Sequence, residues 1–182
     1  MNEIALNYAS ALFSLAQEEK QIDSWLKQSK LLLDIVKDND DLIVLLDSRF
    51  LSSEDRKARA EKIFKDFSIE IVNFLKVIID YHRLALLDEI FQAFISLCNQ
   101  SLGIKEGYLY SAFPLDKSLV TKIETKISRY ENSAVSLITR LDPNLIGGIK
   151  IVIGGHVYDD SIKNQLEKLQ ANLLIKEKNN EN

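Results

Sequence analysis

One cysteine, two prolines, six glycines and one tryptophan are few for 182 residues. Each scarcity excludes something. Cys98 has no partner for an internal disulfide, so packing alone must hold the fold, as suits a reducing compartment. A small buried apolar residue is the reading that fits it. Pro114 and Pro143 both lie beyond Phe113, which leaves the first part of the chain unbroken for helices. Basic residues are outnumbered, 23 against 27, for a net charge of −4. A helical RNA-binding adaptor would usually carry a basic face, so nucleic acid is not an expected partner. No apolar run reaches the length of a membrane span. Met1-Asn2-Glu3 runs straight into a helical pattern, so no signal or transit peptide is expected.

The motifs of common catalytic sites are missing too. The two histidines, His82 and His156, stand in no cluster with metal-ligand spacing, and no metal or other cofactor is expected. No Gly-x-Ser-x-Gly elbow offers a serine nucleophile. Asp38-Asn39-Asp40-Asp41 lacks the glycine and the distal glutamate of a calcium loop, and reads as a solvated turn. With 46% hydrophobic and 27% charged residues, the composition is that of a globular protein with one good core or two small ones.

What is present concentrates between Leu141 and Ile162. This stretch holds Gly147, Gly148, Gly154 and Gly155, four of the six glycines. A phosphate loop would need its last glycine followed by Lys and Ser or Thr at a helix start, and a dinucleotide fingerprint would need Gly-x-Gly-x-x-Gly. Neither spacing occurs. Asp142-Pro143-Asn144 is turn chemistry. Residues 148–153 are β-branched and apolar with one lysine, Gly154-Gly155 suits a two-residue turn with positive φ, and His156-Val157-Tyr158 returns as a second strand. Asp159-Asp160-Ser161 then supplies side-chain oxygens to start a helix carrying Ile162, Leu166 and Leu169.

Upstream, apolar spacing predicts six helices, one of them short. The first runs from Glu3 to about Lys20, capped by Asn2. The second carries Ile22, Trp25, Leu26, Leu32, Leu33 and Val36. A short one covers Leu42 to Leu46, and the fourth starts at Ser52-Ser53-Glu54-Asp55 and runs to about Asp66, burying Ile63 and Phe64. Ser68 opens the fifth, whose Ile71, Val72, Phe74, Leu75, Val77, Ile78 and Ile79 exceed one apolar stripe. Such a helix is central in a bundle, or one of its faces meets a partner. The sixth carries Leu87, Ile90, Phe91, Phe94, Leu97, Cys98 and Leu102, and Gly103 closes it. A boundary is expected at 103–107. Beyond it come a strand at Tyr108 to Phe113, a helix at Lys117 to Tyr130 burying Val120, Ile123 and Ile127, and a strand at Val135 to Leu141. From Lys176 onward the chain is polar, with a frayed end expected. The fold class is mainly α: an N-terminal helical bundle over 1–104 and a small α+β domain over 105–182.

Asp142, Leu145, Ile146, Gly147, Gly148, Val157, Asp159, Ser161, Ile162 and Leu166 together resemble the C-terminal signature of the F-type ATP synthase delta-subunit family, which includes the mitochondrial oligomycin-sensitivity-conferring protein. Tyr8-Ala9-x-Ala11-Leu12-Phe13 is similar to the family's opening, with Asn7 where an arginine is often found. Asn73-Phe74-Leu75, Arg83-Leu84 and Ile90-x-x-x-Phe94 resemble its fifth and sixth helices. Gly107 with Ser111-Ala112-Phe113-Pro114-Leu115 resembles the approach to its second domain.

The resemblance covers essentially the whole chain. It implies a six-helix N-terminal bundle and a small C-terminal domain, with no catalytic residues and no cofactor. It implies a stator subunit that joins the catalytic head of the complex to the peripheral stalk, so that rotor torque and the proton motive force drive ATP synthesis. The partners implied are the N-terminal helix of an alpha subunit for the first domain and the C-terminus of the b subunit for the second. The location implied is the cytoplasmic face of a bacterial plasma membrane, with an organelle inner or thylakoid membrane as the alternative. The family places the alpha helix between the first and fifth helices. With the surplus apolarity of the fifth, this makes Tyr8, Ala11 and Leu12 one expected wall of a groove and Asn73, Val77 and Ile78 the other. Asp142, Gly147, Gly148, Gly154, Gly155, Asp159 and Ser161 are expected to shape the hairpin.

Overall fold

The computed structural model describes residues 2–39, 41–48 and 50–170. The chain divides into two compact units, Met1–Leu102 and Gly103–Asn182.

The first unit is helical. Its elements are α1 (Glu3–Glu18), α2 (Ile22–Lys37), α3 (Asp41–Leu46), α4 (Ser53–Ile63), α5 (Ile69–Asp80), a 3-10 turn at Leu84–Leu86, and α6 (Leu87–Ser101). Local chemistry sets several of these limits. Asn2 Oδ1 accepts the Ile4 N–H at 3.0 Å, and Ser52 Oγ accepts the Asp55 N–H at 3.1 Å, each satisfying a first-turn amide that has no helical partner. Gly103 follows α6 at φ +67°, a conformation that ends helices at little cost for glycine. α4 stops at Ile63, short of Asp66, and Ile63 is 40% exposed while Phe64 is buried.

The centre of this unit is α6 rather than α5. Leu87, Ile90, Phe91, Ala93, Phe94, Cys98 and Asn99 are all buried, so α6 is covered on more than one face. α1 and α2 both pack against it. α1 meets it through Ala5, Ala9, Leu12 and Ala16, a stripe at helical spacing in which three of four residues are alanine. Small side chains allow close approach of two helix axes. α5 packs chiefly on α4, burying Ile71, Val72, Leu75, Ile78 and Ile79.

The second unit is a four-stranded sheet with helices. It contains β1 (Lys105–Ser111), α7 (Lys117–Glu131), β2 (Val135–Leu141), a 3-10 turn at Pro143–Leu145, β3 (Ile149–Ile153) and β4 (His156–Asp159). Residues 162–170 are helical. The strand order is β2-β1-β3-β4. β1 and β2 are parallel, as a crossover through α7 requires, and the other two pairings are antiparallel. β1 begins at Lys105, three residues before the expected Tyr108, because Val135 and Ser136 already pair with Lys105 and Glu106. Leu109, Ile127, Val135, Leu137, Ile151 and Ile153 form the core, with Leu115, Val120, Ile123 and Tyr158 packed on it. The polar stretch from Lys176 lies outside the described residues.

Candidate functional site

On the first unit, α1 and α5 meet through side chains rather than backbones. The Tyr8 and Phe74 rings stand 6.2 Å apart at 66°, and Phe74 meets Phe91 of α6 at 5.9 Å and 89°. Both are edge-to-face contacts, in which the positive ring edge meets the negative face. This row of three rings ties α1, α5 and α6 together while α1 makes its closest packing on α6 and α5 on α4. Along the outside, Ala11 follows Tyr8 by one helical turn, and Val77 follows Phe74 likewise. Ala11 and Asn73 are exposed, Val77 is 42% exposed, and Tyr8 is half-buried. Leu15 and Tyr81, four positions further along each helix, extend the apolar surface.

Two of the six expected groove residues are not on this surface. Leu12 and Ile78 are 1% and 0% exposed and belong to the core. Each sits one position from an exposed neighbour, a rotation of about 100° around the helix, which is enough to turn a side chain from outside to inside.

On the second unit, the glycines have distinct jobs. Gly154 and Gly155 form the β3–β4 turn at φ +55° and +82°. Gly147 and Gly148 instead seat the start of the last helix. Gly148 has φ +72°, and a Cβ there would lie 2.3 Å from the Asp160 carbonyl oxygen. A Cβ on Gly147 would meet Ile162 Cδ1 at 2.7 Å. Across this contact the Asp160 N–H donates to Ile149 C=O and the Ile162 N–H donates to Gly147 C=O, both at 3.0 Å. Asp159 and Ser161 complete the joint. Asp159 Oδ1 accepts from the Ser161 hydroxyl at 2.6 Å and from its N–H at 3.0 Å, and Ser161 Oγ accepts the Asn164 N–H at 3.2 Å. The Ser161 hydroxyl holds the Asp159 carboxyl below the usual range. Asp142 Oδ1 accepts the Asn144 N–H at 3.1 Å and so shapes the 3-10 turn.

One cluster has no local signal in the sequence. Glu131, at the end of α7, has a side chain only 2% exposed. It takes Lys105 Nζ at 2.9 Å, His156 Nδ1 at 2.9 Å and the Tyr158 hydroxyl at 2.8 Å. These come from β1 and β4, so one carboxylate pins α7 to both. Bonds from Lys105 first, then His156 and Tyr158, pull its pKa down to about 2, and the same carboxylate pushes Tyr158 up. The arrangement is a structural tie: three donors from two strands hold one buried carboxylate at the end of α7. Among the described residues, no group of three or more His, Cys, Asp or Glu could hold a metal ion.

The last helix leaves Ile162, Leu166 and Leu169 exposed by 43%, 52% and 59%. They recur at i, i+4 and i+7, an apolar stripe that the described residues of the unit leave largely uncovered.

A family model described as ATP synthase delta (OSCP) subunit matches residues 4–173. The chain belongs to the ATP synthase delta (OSCP) subunit family. It is 33% identical over 171 residues to the ATP synthase subunit delta of Mycoplasma mobile, covering 93% of this chain and 95% of the relative. It is 37% identical over 175 residues to that of Anaeromyxobacter dehalogenans, covering 95% and 98%. A chain of the mitochondrial ATP synthase hexamer of Toxoplasma gondii shares the fold, with a TM-score of 0.67 at 20% identity over 95% of this chain and 98% of that one. A delta/OSCP subunit is a non-catalytic component of the peripheral stalk, and the tie at Glu131 and the joint at Gly148 are what such a part needs: rigid geometry rather than a reaction site. Among the described residues no helix is long and apolar enough to cross a membrane.

Proposed function

We propose that the exposed face between α1 and α5 receives the N-terminal helix of an alpha subunit, and that the second unit holds the C-terminal end of the b subunit. The first unit then serves as a six-helix adaptor for the catalytic head, and the second as the clamp on the stalk. The observation that carries the first part is the geometry around Tyr8 and Phe74: two helices joined by rings, with Ala11, Asn73 and Val77 left open beside them. An amphipathic helix laid there would bury its apolar face against Tyr8, Ala11 and Val77, with Asn73 offering an amide to its backbone or polar edge. Leu12 and Ile78 would support this floor from beneath without touching the partner. The uncovered stripe of Ile162, Leu166 and Leu169 supports the second part, because a helix from the stalk could pack along it. The bacterial relatives favour the cytoplasmic face of a plasma membrane as the place of work.

The experiment is titration of the full chain with a peptide of the alpha N-terminus, followed by amide shifts, beside the Ala11→Trp variant. Ala11 is exposed, so the indole should fill the face and weaken binding at least about tenfold, a loss of roughly 1.4 kcal/mol, while the melting temperature holds. Intact affinity in Ala11→Trp, or shifts centred elsewhere on the first unit, would refute the placement.

A further inference from the structure

β2 lies at the edge of the sheet, and half of its outer side is open. Its parity follows from the two ends of the ladder: the Lys105 N–H donates to Ala134 C=O, and the Asp142 N–H donates to Ser111 C=O. Even-numbered residues of β2 therefore turn their backbone groups to β1, and Val135, Leu137, Thr139 and Leu141 turn theirs outward. Glu124 of α7 covers the first half of this edge, its Oε1 accepting the Leu137 N–H at 2.8 Å. Among the described residues nothing covers the second half. Thr139 and Leu141 are exposed, and neither amide has a partner among the described residues.

The side chains around the open half differ between the two faces. On one, Phe113, Pro114, Leu115 and Leu141 border a cavity of about 180 Å³ whose lining also takes in Ser111, Thr139 and Arg140, with Phe113 and Leu141 68% and 63% exposed. On the other, the Arg140 guanidinium lies 4.7 Å from the Tyr108 ring centroid, and no described carboxylate pairs with it. A helix could not use this edge, because its own backbone groups are already satisfied. An extended segment could: its backbone would pair with Thr139 and Leu141, and its alternate side chains would fall on the cavity and on Arg140.

We propose that the Thr139–Leu141 edge of β2 is a strand-addition site for an extended segment of another polypeptide, one in which apolar and acidic residues alternate. The apolar side chain enters the cavity beside Phe113 and Leu141. The carboxylate meets Arg140, whose planar fork suits it. The site is separate from the α1–α5 face, and its failure leaves that assignment standing.

The test uses the full-length chain and a capped octapeptide of alternating valine and glutamate. Amide shifts should centre on Thr139, Arg140, Leu141 and Phe113, and the Thr139 and Leu141 amides should gain protection from exchange. Methylating the peptide amides along one edge should abolish binding, while methylating the other edge should not. Arg140→Glu should weaken binding at least about fivefold, the size of effect an exposed but well-aligned ion pair can have. Three results would overturn the proposal: no binding at low millimolar peptide, equal binding of a valine–lysine peptide, or shifts centred on residues 162–170.

Discussion

The joint at Gly148 gives the sharpest quantitative expectation. Replacing Gly148 by alanine does two separable things. It places an L residue at φ +72°, which costs about 1–2 kcal/mol. It also drives a methyl group to 2.3 Å from the Asp160 carbonyl oxygen and 3.1 Å from Ser161 Cα, both backbone atoms that no side-chain rotation can move aside. Relief requires residues 147–149 to part from 160–162, which breaks the Asp160–Ile149 and Ile162–Gly147 hydrogen bonds at about 0.5–1.5 kcal/mol each. The sum is about 2–5 kcal/mol, and Gly148→Val should lie at or above the top of that range because a β-branched residue is worse at positive φ. Gly155→Ala is the control. Its φ is +82°, but a Cβ there meets nothing within 4 Å, so only the conformational part, about 1–2 kcal/mol, should appear. Urea denaturation read through exchange of the Ile151 and Tyr158 amides, which face each other in the β3–β4 ladder, would measure both. Trp25, the only tryptophan and buried in the first unit, gives an internal reference that should not move. If Gly148→Ala costs no more than Gly155→Ala, the close backbone contact has been misjudged.

Three further outcomes are open to measurement. Glu131 has a folded pKa of about 2 against its usual 4.5, so its contribution to the second unit is complete above about pH 4.5 and is lost as pH falls toward 2; Glu131→Gln should flatten that acid limb in a pH series of denaturation midpoints. Cys98 is fully buried and its thiol is pushed up to about 12, so it should resist a thiol reagent at pH 8 until the first unit unfolds; rapid native labelling would show that α6 is more open than described. A fragment of residues 1–104 should be helical and melt cooperatively by circular dichroism, since its apolar stripes cover one another; a disordered fragment would mean that this unit needs the rest of the chain.

Much of the fold follows from patterns confined to a few residues. β2 spans the alternating stretch Val135–Leu141, and the pair of positive-φ glycines marks the β3–β4 turn. Asn2 and Ser52 cap α1 and α4 because capping depends on side chains within a turn of the helix start. What periodicity could not give was rotation and rank. Ala11 and Leu12 are adjacent, as are Val77 and Ile78, and the spacing of apolar residues does not say which of each pair faces in when both α5 faces are apolar. For the same reason the surplus apolarity of α5 marks it as a candidate for the centre, and only the packing of α1 and α2 decides for α6. The Glu131 tie was hidden for another cause. Its partners lie 25 to 27 positions away in sequence, and no short-range pattern links a lysine, a histidine and a tyrosine to one carboxylate.

The seating of the last helix bears on how this subunit would yield under load. Residues 162–170 are fixed at one end, where Ser161 is 1% exposed and the Ile162 N–H reaches Gly147, and beyond Asn164 every described residue is exposed. The described part of this helix extends about 12 Å from that root at 1.5 Å per residue. A sideways pull on its described residues acts with leverage on two hydrogen bonds at the root, whereas the strands of the sheet share their strain over whole ladders. Rupture would therefore begin at the glycine joint, and the stiffness of the helical arm would be set by how tightly two glycines let backbone meet backbone.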